Sequence, residues 1–127
     1  MKEIKQREIY MCNLNGIDTE YQGIHPCLVL SVDIANQNNK KAIIVPITHQ
    51  NKKRQPTHYY LYKNKYNYLL YEKNTVLCEE IQKVSNRRLQ NKLGQISWND
   101  LYYILDRLKY NFEPYCNNFK DKRAEIR

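Results

Sequence analysis

The chain has 127 residues, a 42% apolar fraction and a formal charge of +8, from 21 Lys and Arg against 13 Asp and Glu. That length suits one domain, placed here at residues 1–116 with a charged, frayed tail at 117–127. The apolar fraction is enough to build a core, no run is long enough to cross a bilayer, and residues 1–6 lack the apolar stretch of a secretory signal, so a cytoplasmic location is expected.

The pattern reads as strands first and a helix last. Residues 8–14 alternate well enough for an opening strand, and 15–23 form a polar loop. Residues 27–32 and 42–47 are rich in β-branched side chains and bounded by turn chemistry, with Asn36-Gln37-Asn38-Asn39 between them. A polar loop at 49–56 carries Lys52, Lys53 and Arg54. Residues 57–62 read as another strand, 63–68 as a turn or exposed hairpin tip, and 75–84 as one further strand. Ser97 then begins a helix, its hydroxyl positioned to accept a backbone N–H and Asp100 positioned to reach back as the acid of a capping box. Leu101, Ile104, Leu105, Leu108 and Phe112 fall on one apolar stripe, and Pro114 ends the helix.

Charge is unevenly spread. No acidic residue occurs from 34 to 71, a window holding Lys40, Lys41, Lys52, Lys53, Arg54, Lys63, Lys65 and six of the twelve tyrosines. A cationic field with exposed aromatic rings attracts phosphates and stacks unpaired bases. A solvated basic surface with ordinary strand tyrosines is the alternative. The four cysteines show no Cys-x-x-Cys spacing, and three of them, Cys12, Cys27 and Cys78, sit inside apolar runs. Buried free thiols are therefore expected, and neither a metal site nor a cofactor.

Two strands end in reactive side chains. His25 precedes the apolar run Cys27-Leu28-Val29-Leu30, and Thr48 closes Ile43-Ile44-Val45-Pro46-Ile47. Neighbouring strands of this kind place an imidazole and a hydroxyl at one rim of a small barrel, an arrangement suited to phosphate chemistry.

An ordered set of short motifs from residue 7 to 112 resembles the MazF/PemK toxins. It comprises the opening strand, the loop Thr19-Glu20-Tyr21-Gln22-Gly23, the turn Gly23-Ile24-His25-Pro26, the strand end Ile47-Thr48, Pro56-Thr57-His58 and Glu79-Glu80-Ile81. The resemblance implies a mainly β (α+β) fold, an SH3-like small β-barrel of the MazF/CcdB type with a C-terminal helix. It also implies a sequence-specific endoribonuclease that cleaves single-stranded mRNA without metal. Its expected partners are RNA, a second copy of itself in a symmetric dimer, and an acidic, partly disordered cognate antitoxin.

Carried over residue by residue, Thr48 matches the hydroxyl that bonds the scissile phosphate, and His25 stands where the family has a catalytic arginine. Histidine titrates near neutrality and lacks arginine's fork of donors, so His25 is either an acid–base group or a residue that caps the Pro26 turn. Glu20 matches a loop glutamate that could orient His25. The loop residues Tyr21 and Gln22 fall on the RNA side, Tyr21 as a ring on which a splayed base stacks. His49, Lys52, Lys53 and Arg54 follow the RNA backbone beyond the cut. Glu79 matches the family's acid and is placed among the RNA-binding residues, and Glu80 replaces a glutamine. Strand alternation sends the two to opposite faces, so at most one of them points to the site. The His25 and Glu80 departures keep open a second reading, a MazF-like nucleic-acid-binding or regulatory module without hydrolysis.

Overall fold

The computed structural model describes residues 2–17 and 22–113. Seven strands form one antiparallel sheet: β1 (Glu8–Asn15), β2 (Gln22–Val29), β3 (Lys41–Thr48), β4 (His58–Tyr62), β5 (Lys73–Leu77), β6 (Gln82–Ser85) and β7 (Leu89–Gln95). The order is β4-β5-β3-β2-β1-β7, with β6 also paired to β3. Two helices, α1 (Asp33–Asn39) and α2 (Trp98–Leu108), complete the fold. The fold is mainly β with a C-terminal helix, as read from the sequence. No helix among the described residues is long and apolar enough to cross a membrane.

Alternation along the strands feeds two apolar clusters, because successive side chains point to opposite faces. Ile9, Leu28, Val45 and Ile47 turn to one face, where β4, β5 and α2 add Leu61, Val76, Leu101 and Ile104. Tyr10, Cys12, Leu14, Cys27, Val29 and Ile44 turn to the other, closed by Ile4, Val84 and Leu89. The second half of β3 pairs with β5 and its first half with β6. The sheet therefore curls around the second cluster, and residues just after β1 meet residues at the start of β6.

Four local readings change. The Asn-rich segment between β2 and β3 is not a turn but α1. Asp33 lies in its first turn and Lys40 closes it in the left-handed region at φ 54°. The buried Asn36 side chain donates to the carbonyls of Ile4 (3.2 Å) and Ser31 (3.0 Å). These tertiary bonds, rather than helical periodicity, hold that short helix. The segment read as one strand over 75–84 is β5, a 3-10 turn at Cys78–Glu80, and β6. Strand β7 went unread because its burial hardly alternates: only Leu89 is buried. The turn between β4 and β5 is not an exposed tip, since Tyr66 and Leu69 are buried in the first cluster.

The start of α2 is as expected at Ser97, whose hydroxyl accepts the Asp100 N–H at 3.2 Å. The return half of the box is different. The Ser97 N–H donates to the Tyr66 hydroxyl at 3.0 Å, which frees the Asp100 carboxylate for other partners. The apolar stripe also narrows to Leu101, Ile104 and Leu108; Phe112 is 86% exposed and Leu105 41%. Three cysteines are buried free thiols; burial pushes that of Cys78 up to about 12. Cys116, Pro114 and the tail lie outside the described residues.

Candidate functional site

The first requirement of the site is that His25 and Thr48 lie together. Strands β2 and β3 pair through Cys27↔Pro46, Leu28↔Val45 and Val29↔Ile44. The ladder ends at Cys27↔Pro46; beyond it His25 pairs with Cys12 of β1, and Thr48 pairs with Thr75 of β5. Both therefore lie just beyond one end of this strand pair. His25 is half-buried on the face of the second cluster, directly across from Cys12 of β1. Its Nε2 lies 2.5 Å from the Gln22 carbonyl oxygen. A carbonyl oxygen only accepts, so Nε2 donates and Nδ1 is the acceptor nitrogen of the neutral ring. Gly23, at φ 85°, makes the turn that brings this carbonyl back over the ring, a conformation that suits glycine.

Thr48 is buried, and its hydroxyl oxygen accepts the Gln50 N–H at 3.2 Å. That bond fixes where the chain leaves β3 for the basic loop. His49 follows, exposed, with its ring stacked on Tyr71 at 3.7 Å between centroids and 8° between planes. Lys52, Lys53 and Arg54 are exposed on the same loop. Gln22 is exposed, opens β2 and pairs with Asn15. Glu20 and Tyr21 lie outside the described residues.

A cleft of about 200 Å³ opens beside this end of β1, lined by Asn15, Gly16, Glu79, Glu80, Ile81, Gln82 and Arg88. It is joined to His25 through the Asn15–Gln22 pair. Glu79 and Glu80 both line it, because a 3-10 turn does not alternate faces as a strand does. Glu79 has a structural task as well: its carboxylate accepts from Thr57 Oγ1 at 2.9 Å and from His58 Nε2 at 2.8 Å. The His58 side chain is 1% exposed, so Pro56-Thr57-His58 and Glu79 together clamp the start of β4 to the turn that shapes the cleft. Arg88, half-buried, is the cation of the cleft. It sits in a polar stretch without periodicity, and no sequence signal pointed to it. It also lies near the Cys12 thiol, which the hydrogen bond with Cys27 and the Arg88 charge hold below its ordinary value.

These groups offer an imidazole on β2, a hydroxyl at the end of β3 and a guanidinium with carboxylates and amides in the cleft, with a basic loop following β3. Such a set can bind a phosphodiester and move protons at it.

A family model described as a PemK-like, MazF-like toxin of a type II toxin-antitoxin system matches residues 5–112. Among solved structures, MazF from Deinococcus radiodurans aligns with a TM-score of 0.75 at 20% identity, over 87% of this chain and 96% of that one. An endoribonuclease in complex with its cognate antitoxin, from a mycobacterial species, aligns with a TM-score of 0.70 at 18% identity, over 89% and 99%. The Mycobacterium tuberculosis toxin MazF-mt6 aligns with a TM-score of 0.67 at 16% identity, over 84% and 96%.

Proposed function

Because this chain belongs to the PemK-like, MazF-like toxin family of type II toxin-antitoxin systems, we propose that it is an endoribonuclease that cuts single-stranded mRNA at a short sequence without a metal. The observation that supports this reading is that His25 and Thr48 both lie just beyond the same end of the β2–β3 ladder, which closes at Cys27↔Pro46, while a cleft holding Arg88 opens at the end of β1. In this mechanism the 2′-oxygen attacks phosphorus and the bond to the 5′-oxygen breaks. His25 Nδ1 takes the 2′-hydroxyl proton, and the Thr48 hydroxyl donates to a non-bridging phosphate oxygen. The departing 5′-oxygen takes a proton from a water molecule, and the imidazolium of His25 gives its proton to the hydroxide so formed, which leaves a 2′,3′-cyclic phosphate, a 5′-hydroxyl and a neutral His25. Glu20 orients His25, while Tyr21, Gln22, His49, Lys52, Lys53 and Arg54 hold the flanking nucleotides. A similar solved endoribonuclease carries its cognate antitoxin, and the +8 charge suits an acidic antitoxin segment here as well.

A second reading, a binding module without hydrolysis, draws on the short contact that ties the His25 ring to its own turn. One experiment separates the two. The purified protein is incubated with total RNA in EDTA, and the products are probed for 5′-hydroxyl ends. The expected result is cleavage, with His25→Ala slower by roughly 100- to 10,000-fold, the usual worth of a positioned acid–base group. His25→Arg should cut without the pH–rate inflection that a histidine acid–base group produces. If the parent never cuts and His25→Arg does, the binding-module reading holds. If His25→Ala cuts as fast as the parent, His25 is only a turn residue.

A further inference from the structure

Two acid-free stretches meet on the surface beside the cleft, in the segment between its lining residues Gln82 and Arg88. Residues 34–71 contain no Asp or Glu, and neither do residues 81–99. The β3–β6 ladder lays one against the other through Lys41↔Ser85, Ala42↔Val84 and Ile43↔Lys83. Lys41 and Lys83 thereby share a face as diagonal neighbours, since Ala42 and Val84 turn inward to the second cluster. Lys40 precedes Lys41, and Arg87 follows Ser85 by two residues. All four cations are exposed, and none forms an ion pair with another described residue.

The frame beneath them is tied by hydrogen bonds. The Asn86 N–H donates to the Lys40 carbonyl and its side-chain amide to the Asn36 carbonyl, both at 3.0 Å. Asn36 is fully buried. The Arg87 N–H donates to Ser85 Oγ at 3.3 Å, and the Ile43 N–H to Ser31 Oγ at 2.9 Å. The nearest carboxylates in sequence are Asp33, at the far end of α1, where it accepts the Gln6 N–H at 2.8 Å, and Glu80, which ends the turn before β6 and lines the cleft. A fixed cluster of uncompensated positive charge is expected to gather a flexible polyanion, because each phosphate it neutralises releases a condensed counterion.

We propose that Lys40, Lys41, Lys83 and Arg87 form a second phosphate track, which holds the continuation of a long single-stranded RNA along the β3–β6 edge. Thr48 and Lys41 stand at opposite ends of β3, roughly 23 Å apart at about 3.3 Å per residue. Only an RNA several nucleotides longer than the cleaved sequence reaches from one to the other. The proposal rests on the RNA-cleaving reading of the His25–Thr48 site and adds a length dependence to it. The track raises affinity for long RNA and leaves the chemistry at the cut unchanged.

The test measures binding of two oligonucleotides, about four and about twenty nucleotides long, over a salt series. Protein with the Lys41→Gln, Lys83→Gln and Arg87→Gln changes together is compared with the parent. The expected result is equal binding of the short RNA, which also shows that the variant is folded. On the long RNA, the log–log salt slope should be shallower by up to about 2, at roughly 0.7 for each phosphate no longer neutralised. An unchanged slope on the long RNA overturns the track while the short RNA still supports the site. A parent that binds neither RNA overturns both. If the variant loses affinity for polyglutamate while its RNA slope is unchanged, the patch docks an acidic protein segment and the proposal fails.

Discussion

Asp100 ties three parts of the molecule with one carboxylate. It accepts from the Tyr59 hydroxyl of β4 at 2.6 Å, from the Tyr66 hydroxyl in the β4–β5 turn, and from the Lys65 ammonium at 2.9 Å. Burial alone would raise its pKa, yet these partners together hold it below the ordinary carboxylate value. Burial, together with the same carboxylate, pushes the Tyr59 hydroxyl up. A lowered folded-state pKa contributes stability that is fully present above the unfolded value near 3.8 and is lost as pH falls through the folded value. Asp100→Asn should therefore cost about 1.5–3 kcal/mol at neutral pH, the usual range for hydrogen bonds to a charged group. Below about pH 4 the variant and the parent should converge. Thermal unfolding from pH 7 down to pH 2 checks this, and a constant gap across that range would contradict it. Glu79 works by the same physics around His58 and Thr57, which gives a carboxylate at the cleft a structural reason to be there.

At the scale of the element, β7 and the turn before β5 are fitted to each other by a missing side chain. Gly94 lies against the Tyr68 ring, and a Cβ at that position would overlap the ring carbons. Gly94→Ala should destabilise by about 1–3 kcal/mol, as overpacking does. Adding Tyr68→Ala should recover part of the overlap penalty, so that the double variant is more stable than the sum of the singles. Additive losses in a thermal or urea series would show that ring and strand do not compete for space. The entry to β1 is under similar constraint. Arg7 takes φ 79°, outside the usual range for a residue with a Cβ. It is held there by Arg7 N–H to the Val29 carbonyl (2.9 Å), by Ile96 N–H to the Arg7 carbonyl (3.0 Å), and by its guanidinium lying over Trp98 at 3.8 Å. One residue thus couples β1, β2 and the start of α2.

For the whole molecule, the arrangement of charge bears more on function than its sum. Among the described residues, cations gather at the loop after Thr48 and at the β3–β6 edge. Apolar surface gathers elsewhere, on the outer side of α2 and just beyond it, where Trp98, Tyr102 and Phe112 are each more than half exposed. The symmetric dimer that the family resemblance implies predicts the sedimentation coefficient of a dimer at micromolar concentration. A monomer there would remove any RNA groove shared between two copies, though not the His25–Thr48 pair within one.

What the sequence determined by itself is what local chemistry encodes. β-Branched runs between turn residues set most of the strands, Ser97 set the start of α2, and ordered short motifs pointed to the fold and the family. Contacts between distant segments were out of its reach. Asp100 reads as a capping acid from spacing alone, and only the folded β4–β5 turn, which brings Tyr66 and Lys65 to it, decides otherwise. Glu79 and Glu80 read as opposite faces of a strand until the 3-10 turn sets both at one cleft, and Arg88 reads as nothing at all. The pairing of β3 with β6 joins two acid-free stretches into one surface. Such meetings depend on the register and curl of the sheet, which arise from burying two apolar faces at once and leave no periodic trace in any single segment.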